Sequence, residues 1–460
     1  MPEEQAGGWG PRSLAAPVVA AAAIRLGLLA AALARGGLVA LIQPDTASYL
    51  RPGRNLLLHG QFFSGGLPEL DRTPGYALFL ALLSGAGPLA AIIAQVLLSA
   101  ASVLLVWRIA RAVFADERTA LVAAWLFAFE PLSVIYSVLL LSETLFLTLF
   151  LFSLERLAEF LRSHRLRALA AAGLGLAAAT FVRPVTYYLP LALAVGLLAV
   201  LARTPGLRPG LCWKAPAVLL LSTMPLLAAW QVRNLVETGF SGFSSIQAQN
   251  LYYFSAGEVT ARLEHRTLDQ VDNDLGYGDE GALLARHPEA AAWNQQQRLA
   301  FMRSEALRVL RANPGLFART HLKGMMRTAF NPGAAVLVSL LGAPLDNATF
   351  VREHQEGTLK AAFGAAKQFP GQTAVLAAFE LVLLALYAFA LRAVLLRRVP
   401  GAYLCLLLGL ALYFVAVSGG AVGAARFRLP IMPAVCILAA AGILRPGREP
   451  EPQPAALRQL

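Results

Sequence analysis

The chain has 460 residues, of which 57% are hydrophobic and only 14% charged, and its mean hydropathy is +0.59. A soluble domain needs a polar surface, so a chain this long and apolar is solvated by lipid, and helices rather than sheets satisfy its backbone there. The net charge of +12 is not a nucleic-acid signal, because the basic residues sit mostly in short turns between apolar runs. Three cysteines, Cys212 in a basic turn and Cys405 and Cys436 in apolar runs, make no disulfide framework.

Taken in order, about ten apolar runs are long enough to span a bilayer: 14–42, 88–112, 119–136, 137–157, 168–183, 187–202, 215–231, 373–392, 400–418 and 429–445. The first is too long for a cleavable signal peptide and lacks a cleavage site. The loops 107–119, 155–167, 202–214 and 391–400 and the tail 447–460 are basic and belong on the cytoplasmic side. The predicted organisation is therefore a membrane module over 1–231 with an outer loop at 43–87. An outer region follows at 232–372, then closing spans at 373–446 and a cytoplasmic tail at 447–460. The piece AAVLVSLLGA (334–343) is too short to span alone and reads as re-entrant or interfacial.

The first outer loop begins QPDTASYL (43–50), placing Asp45 where the chain leaves the membrane. Asp45 would suit a helix N-cap, and Tyr49 would share its helical face. Pro74 suits the first turn of a helix beginning PGYALFLALL, so Arg72 stands at a helix start that already favours an anion. In the outer region a helix is expected from about 289 to 311, with Leu299, Met302, Ala306 and Leu310 on one face. NPGLFARTHLKGMMRTAF (313–330) reads as a basic amphipathic segment on the membrane surface. DNDLGYGDE fails the calcium-loop template, which needs Gly and Glu where Tyr277 and Leu283 stand.

Several ionisable groups lie in or beside apolar runs. Glu143 is costly in lipid and should face the bundle interior; Glu130 and Glu380 suit interfacial positions. Arg25 could snorkel to the interface, and Arg35 needs a partner the sequence does not name. Arg183, Arg233, Arg426 and Arg428 cluster at outer boundaries, where the positive-inside rule predicts few arginines. No His, Cys or Asp spacing reads as a metal site.

An acid soon after the first span is followed in order by RTPGYALFLALL, PLSVIYSVLLLSETLFLTLFLF, FVRPVTYYLP, AAWQVRNLVETGF and ARFRLPIMP. The series resembles the bacterial GT-C glycosyltransferases, in particular the protein-mannosyltransferase-like, family 39 group that includes the aminoarabinose transferases. The likeness covers the first seven spans well and the last span reasonably, and it is weak over about 240–372. It implies an all-α GT-C-type bundle of 9–13 transmembrane helices in the bacterial inner membrane, with a larger outer loop after the seventh span. The implied activity is inverting transfer of one sugar from a polyprenyl-phosphate donor to a lipid, glycan or protein acceptor on the periplasmic face.

In that reading Asp45 is the general base. Tyr49 lines the sugar pocket, Glu143 orients an arginine or the sugar, and the lipid phosphate falls to Arg72 first, then Arg428 and Arg426, then Arg183 and Arg233. Some members of the superfamily use a divalent ion, so the resemblance leaves metal dependence open. A secondary transporter or lipid-carrier translocase is the alternative, although transporters usually carry internal repeats and this chain shows none.

Overall fold

The computed structural model describes residues 11–342 and 370–445, so the tail 447–460 lies outside the described residues. The fold is an all-α, multi-pass membrane bundle. Its first half runs α1 (Pro11–Gly36), α2 (Thr46–His59), a two-residue hairpin of β1 (Phe63–Ser64) and β2 (Leu67–Pro68), and α3 (Pro74–Leu83). There follow α4 (Pro88–Phe114), α5 (Glu117–Ala128), α6 (Pro131–Ser137), α7 (Glu143–Ser163), α8 (Leu166–Val182), α9 (Leu189–Leu201) and α10 (Leu211–Thr238). Pro370–Leu395, Gly401–Val417 and Met432–Ile443 close the bundle.

Six helices among the described residues are long and apolar enough to cross a membrane, and a seventh forms if the bent pair α5–α6 counts as one span. α7, α8 and Gly401–Val417 occupy the other expected positions; α8 and Gly401–Val417 are shorter, with 17 residues each, near the lower limit for spanning. The last span is the most enclosed, with 78% of its central window buried.

The clearest departure from the hydropathy reading lies between 128 and 143. α5 stops at Ala128, turns by 52°, and α6 begins at Pro131. Glu130 is not interfacial: it is buried and accepts the N–H groups of Leu132 (3.2 Å) and Ser133 (2.6 Å), capping α6. Val138–Ser142 is then non-helical and buried. Buried irregular backbone needs protein partners, and Gln95 Nε2 donates to Leu139 O at 2.6 Å while Leu140 N donates to Leu41 O at 2.9 Å. Arg25 does not snorkel. It is fully buried and donates to Ser99 Oγ, Ala21 O, Ala128 O and Ser133 Oγ, tying α1 and α4 to the break. Arg35 finds the carbonyl of Leu341 at 3.1 Å.

Leu299, Met302, Ala306 and Leu310 form the buried face of a helix, as expected, but it runs Gln295–Ala312, capped by Asn294 after a separate 3-10 turn at Pro288–Ala292, rather than starting near 289. That face packs on Tyr252, Tyr253, Ala256 and Val259, and on Leu70 between β2 and α3. The helix Pro314–Phe330 exposes Leu322, Met326 and Phe330. On its other side Gly324 meets Gly420 backbone so closely that an added Cβ would lie 1.9 Å from the Gly420 carbonyl oxygen. Ala335–Leu340 is a short helix with Val338 and Leu340 buried.

Candidate active site

Asp45 stands just before α2 but caps nothing with its side chain. Its carboxylate is divided between two arginines: Oδ1 accepts from Arg72 Nη2 at 3.0 Å and Oδ2 from Arg426 Nη1 at 3.2 Å. These three residues come from the end of the first span, the start of α3 and the turn before the last span. Partial burial pushes the Asp45 carboxyl up, but the charges of Arg72 and Arg426 and their hydrogen bonds outweigh it, so the group is held below its ordinary value.

Arg72 is held as a fork. Nε donates to Ser48 Oγ at 2.8 Å, Nη1 to Tyr49 Oη at 3.3 Å, and the guanidinium carbon sits 4.6 Å from the Tyr49 ring centre. Its backbone is fixed too, because Glu69 Oε1 accepts the N–H groups of Asp71 (2.7 Å) and Arg72 (3.0 Å). Gly75 explains why the stretch reads TPGY. A Cβ there would lie 2.7 Å from the Phe181 carbonyl oxygen and 2.9 Å from Val182 Cγ2, so only glycine lets α3 approach the end of α8. That approach brings Arg72 and Arg183 to one end of the bundle.

Arg183 follows α8 and pairs with the buried Glu143 at 2.5 Å. Arg183 Nη1 also donates to Ser142 Oγ at 3.3 Å, and Ser142 Oγ lies 3.3 Å from Tyr49 Oη, which links this pair to Arg72. Glu143 opens α7 directly after the unwound segment, so the irregular backbone sets its place. Phe427 closes the group: its ring centre is 5.0 Å from the Arg426 guanidinium and 6.0 Å from that of Arg183.

The structure thus gathers Asp45, Tyr49, Arg72, Glu143, Arg183 and Arg426. Arg428 and Arg233 stand apart. Arg428 is buried and Nη1 donates to Thr328 O, Ala329 O and Asn331 O, fastening the end of Pro314–Phe330 to the last span. Arg233 donates to Phe62 O at 2.8 Å and Glu69 O at 3.2 Å, and so secures the segment between α2 and α3. Ser48, Ser142 and Phe427 are the members sequence reading missed, since serine and phenylalanine carry no signal in such a chain. Among the described residues no three His, Cys, Asp or Glu side chains cluster to hold a metal ion. A cation at Asp45 would have to displace Arg72 or Arg426.

Residues 71–230 match the family model for dolichyl-phosphate-mannose-protein mannosyltransferases, a segment that includes Arg72, Ser142, Glu143 and Arg183. Over that segment the match bears out the resemblance to the protein-mannosyltransferase-like GT-C group; Asp45 and Arg426 lie outside it.

Among solved structures, the archaeal oligosaccharyltransferase AglB from Archaeoglobus fulgidus, in complex with an inhibitory peptide and a dolichol-phosphate, aligns with 95% of this chain and 50% of its own at 16% identity and a TM-score of 0.45. ArnT from Cupriavidus metallidurans bound to undecaprenyl phosphate aligns with 92% of this chain and 77% of its own at 14% identity and a TM-score of 0.41. The apo form of that ArnT aligns at 14% identity and a TM-score of 0.38. The chain spans about half the length of the archaeal protein. A search of curated proteins finds no significant match.

Proposed function

We propose that this chain is an inverting glycosyltransferase of the inner membrane. It takes one sugar from a polyprenyl-phosphate donor and passes it to an acceptor on the periplasmic face. The observation that carries the reading is one carboxylate, Asp45, shared between Arg72 and Arg426.

The step needs a base for the acceptor proton and positive charge for the departing phosphate. An acceptor oxygen attacks the anomeric carbon, its proton passes to Asp45, and the bond from that carbon to the phosphate oxygen breaks with inversion. The sugar-bearing phosphate carries one negative charge and gains a second as it leaves. Guanidiniums placed there therefore bind the transition state more tightly than the ground state. In the ligand-free arrangement Asp45 occupies Arg72 and Arg426. A lipid phosphate competes for both, and as they turn toward it the carboxylate recovers its basicity. Arg183, neutralised by Glu143, orients the group through Ser142 rather than supplying net charge.

Gathering the charged side chains at one end of the bundle supports transfer over transport, because a transporter site belongs near the midplane. The test is incubation of membranes containing the protein with labelled polyprenyl-phosphate sugars. Label moving to a second molecule supports the reading, and label that only changes sides supports a translocase.

A further inference from the structure

A cavity of about 700 Å³ lies behind the turn that carries Arg72, within the size range of small-molecule sites. Its walls come from four places: the β1–β2 hairpin and following turn, the end of α10 at Glu237 and Thr238, Ser245 with Gln249, and the segment Trp293–Met302. The turn Glu69–Arg72 separates it from the Asp45 cluster, so whatever occupies it sits one turn of chain from the proposed base.

Three carboxylates, Glu69, Asp71 and Glu237, face this space against one guanidinium, Arg298. Glu69 is committed to backbone N–H groups, and Asp71 Oδ1 accepts from Gln249 Nε2 at 2.5 Å and from Ser245 Oγ. Neither is available to a ligand through those atoms, and Arg72 and Arg233 stand behind the same carboxylates. Glu237 is exposed. Trp293 has its ring centre 4.8 Å from that of Phe301 and is half-buried, leaving part of the indole on the cavity wall. A flat apolar ring beside amide and carboxylate groups suits a pyranose, with its C–H face and its rim of hydroxyls. The wall itself offers a phosphate one guanidinium, Arg298, among three carboxylates.

We infer that this cavity holds the non-reacting part of a neutral glycan acceptor, whose terminal hydroxyl reaches over the Glu69–Arg72 turn to Asp45. The inference rests on the transferase reading. Trp293 supplies a stacking surface and Glu237 accepts hydroxyl hydrogen bonds. Binding energy gathered there, away from the reacting bond, fixes the acceptor in register.

The experiment uses the full-length protein in lipid nanodiscs with neutral trisaccharides (maltotriose, cellotriose, chitotriose), their 6-phosphorylated counterparts and a serine-containing peptide as probes. Saturation-transfer NMR reads binding. At least one neutral trisaccharide should bind better than its phosphorylated form. Trp293→Ala should weaken that binding about tenfold or more, Trp293→Phe should restore most of it, and Glu237→Gln should weaken it severalfold. Absence of neutral-glycan binding, preference for the phosphorylated probes or the peptide, or indifference to Trp293→Ala would each overturn the inference. Undecaprenyl phosphate binding is measured on the same samples. If it depends on Arg72 while no glycan binds, only the acceptor inference fails. If glycans bind through Trp293 but the lipid phosphate does not, the transferase reading fails instead.

Discussion

Asp45 and Arg72, 27 residues apart in sequence, meet at 3.0 Å, and Arg426 reaches the other oxygen of the same carboxylate across 381 residues. Nearly the whole length of the chain is folded back to place two cations on one acid. Each contact is partly exposed, with 37% of the Asp45 side chain accessible, so surface ion pairing alone would stabilise the fold little. A donor phosphate would find both cations within reach.

Arg72→Ala and Arg426→Ala should each weaken binding of undecaprenyl phosphate by about 10–100-fold, the worth of one or two charge-assisted hydrogen bonds. Arg72→Lys should recover only part of it, since a point charge cannot reproduce the fork to Ser48, Tyr49 and Asp45. Titration of the lipid into nanodisc-held protein measures both.

Arg428→Ala should behave oppositely. Three carbonyls at the end of Pro314–Phe330 lose their donor, so thermal stability should fall by several degrees while the lipid affinity of the folded fraction stays near wild type. A differential scan read beside the binding titration separates the two effects.

Arg426 and Arg428 show where sequence reading ends. They are two residues apart in ARFRLP and equally placed by hydropathy, yet a 3-10 turn over Ala425–Ile431 sends one to Asp45 and buries the other. Nothing in the local pattern tells them apart. The spans were legible because apolar length is a strong signal, and Asp45, Arg72 and Arg183 because ionisable groups at a membrane edge are few. The α5–α6 break was not, since Glu130–Pro131 resembles an interfacial loop until Arg25 and Gln95 are seen filling the gap from other helices.

Glu143→Ala should cost about 3 kcal/mol of stability, the lower part of the range for removing one partner of a buried ion pair, because Arg183 keeps 20% of its side chain exposed. Glu143→Gln should keep most of the packing but leave Arg183 unneutralised. Unfolding by graded detergent denaturation compares the two with wild type.

The acid limb of kcat/KM reports the free enzyme's base. Arg72 and Arg426 hold the Asp45 carboxyl below its ordinary value despite burial, which in unfolded chains is about 3.9. Any stability this cluster adds is therefore present above that ordinary value and is lost as pH falls through the depressed one. Transfer should hold steady down through weakly acidic pH. Arg426→Gln removes one of the cations that depress the carboxyl, so its acid limb should shift to higher pH, and a profile that stays in place would count against Asp45 as the base.

Gly75→Ala drives a methyl into the Phe181 carbonyl and Val182 and should separate α3 from α8. Activity should fall more than tenfold, since misplacing a group by about 1 Å costs on the order of 10²-fold. A cysteine pair reporting the α3–α8 distance would show the displacement.

The most direct measurement is Asp45→Asn assayed for both donor binding and turnover. The amide keeps the shape, cannot take a proton and leaves Arg72 and Arg426 without their counter-charge. Undecaprenyl phosphate should bind as tightly as to wild type or more tightly, while kcat for sugar transfer falls by about 10²–10⁴-fold. Turnover at the wild-type rate, with the lipid bound, would contradict the assignment of Asp45 as the base.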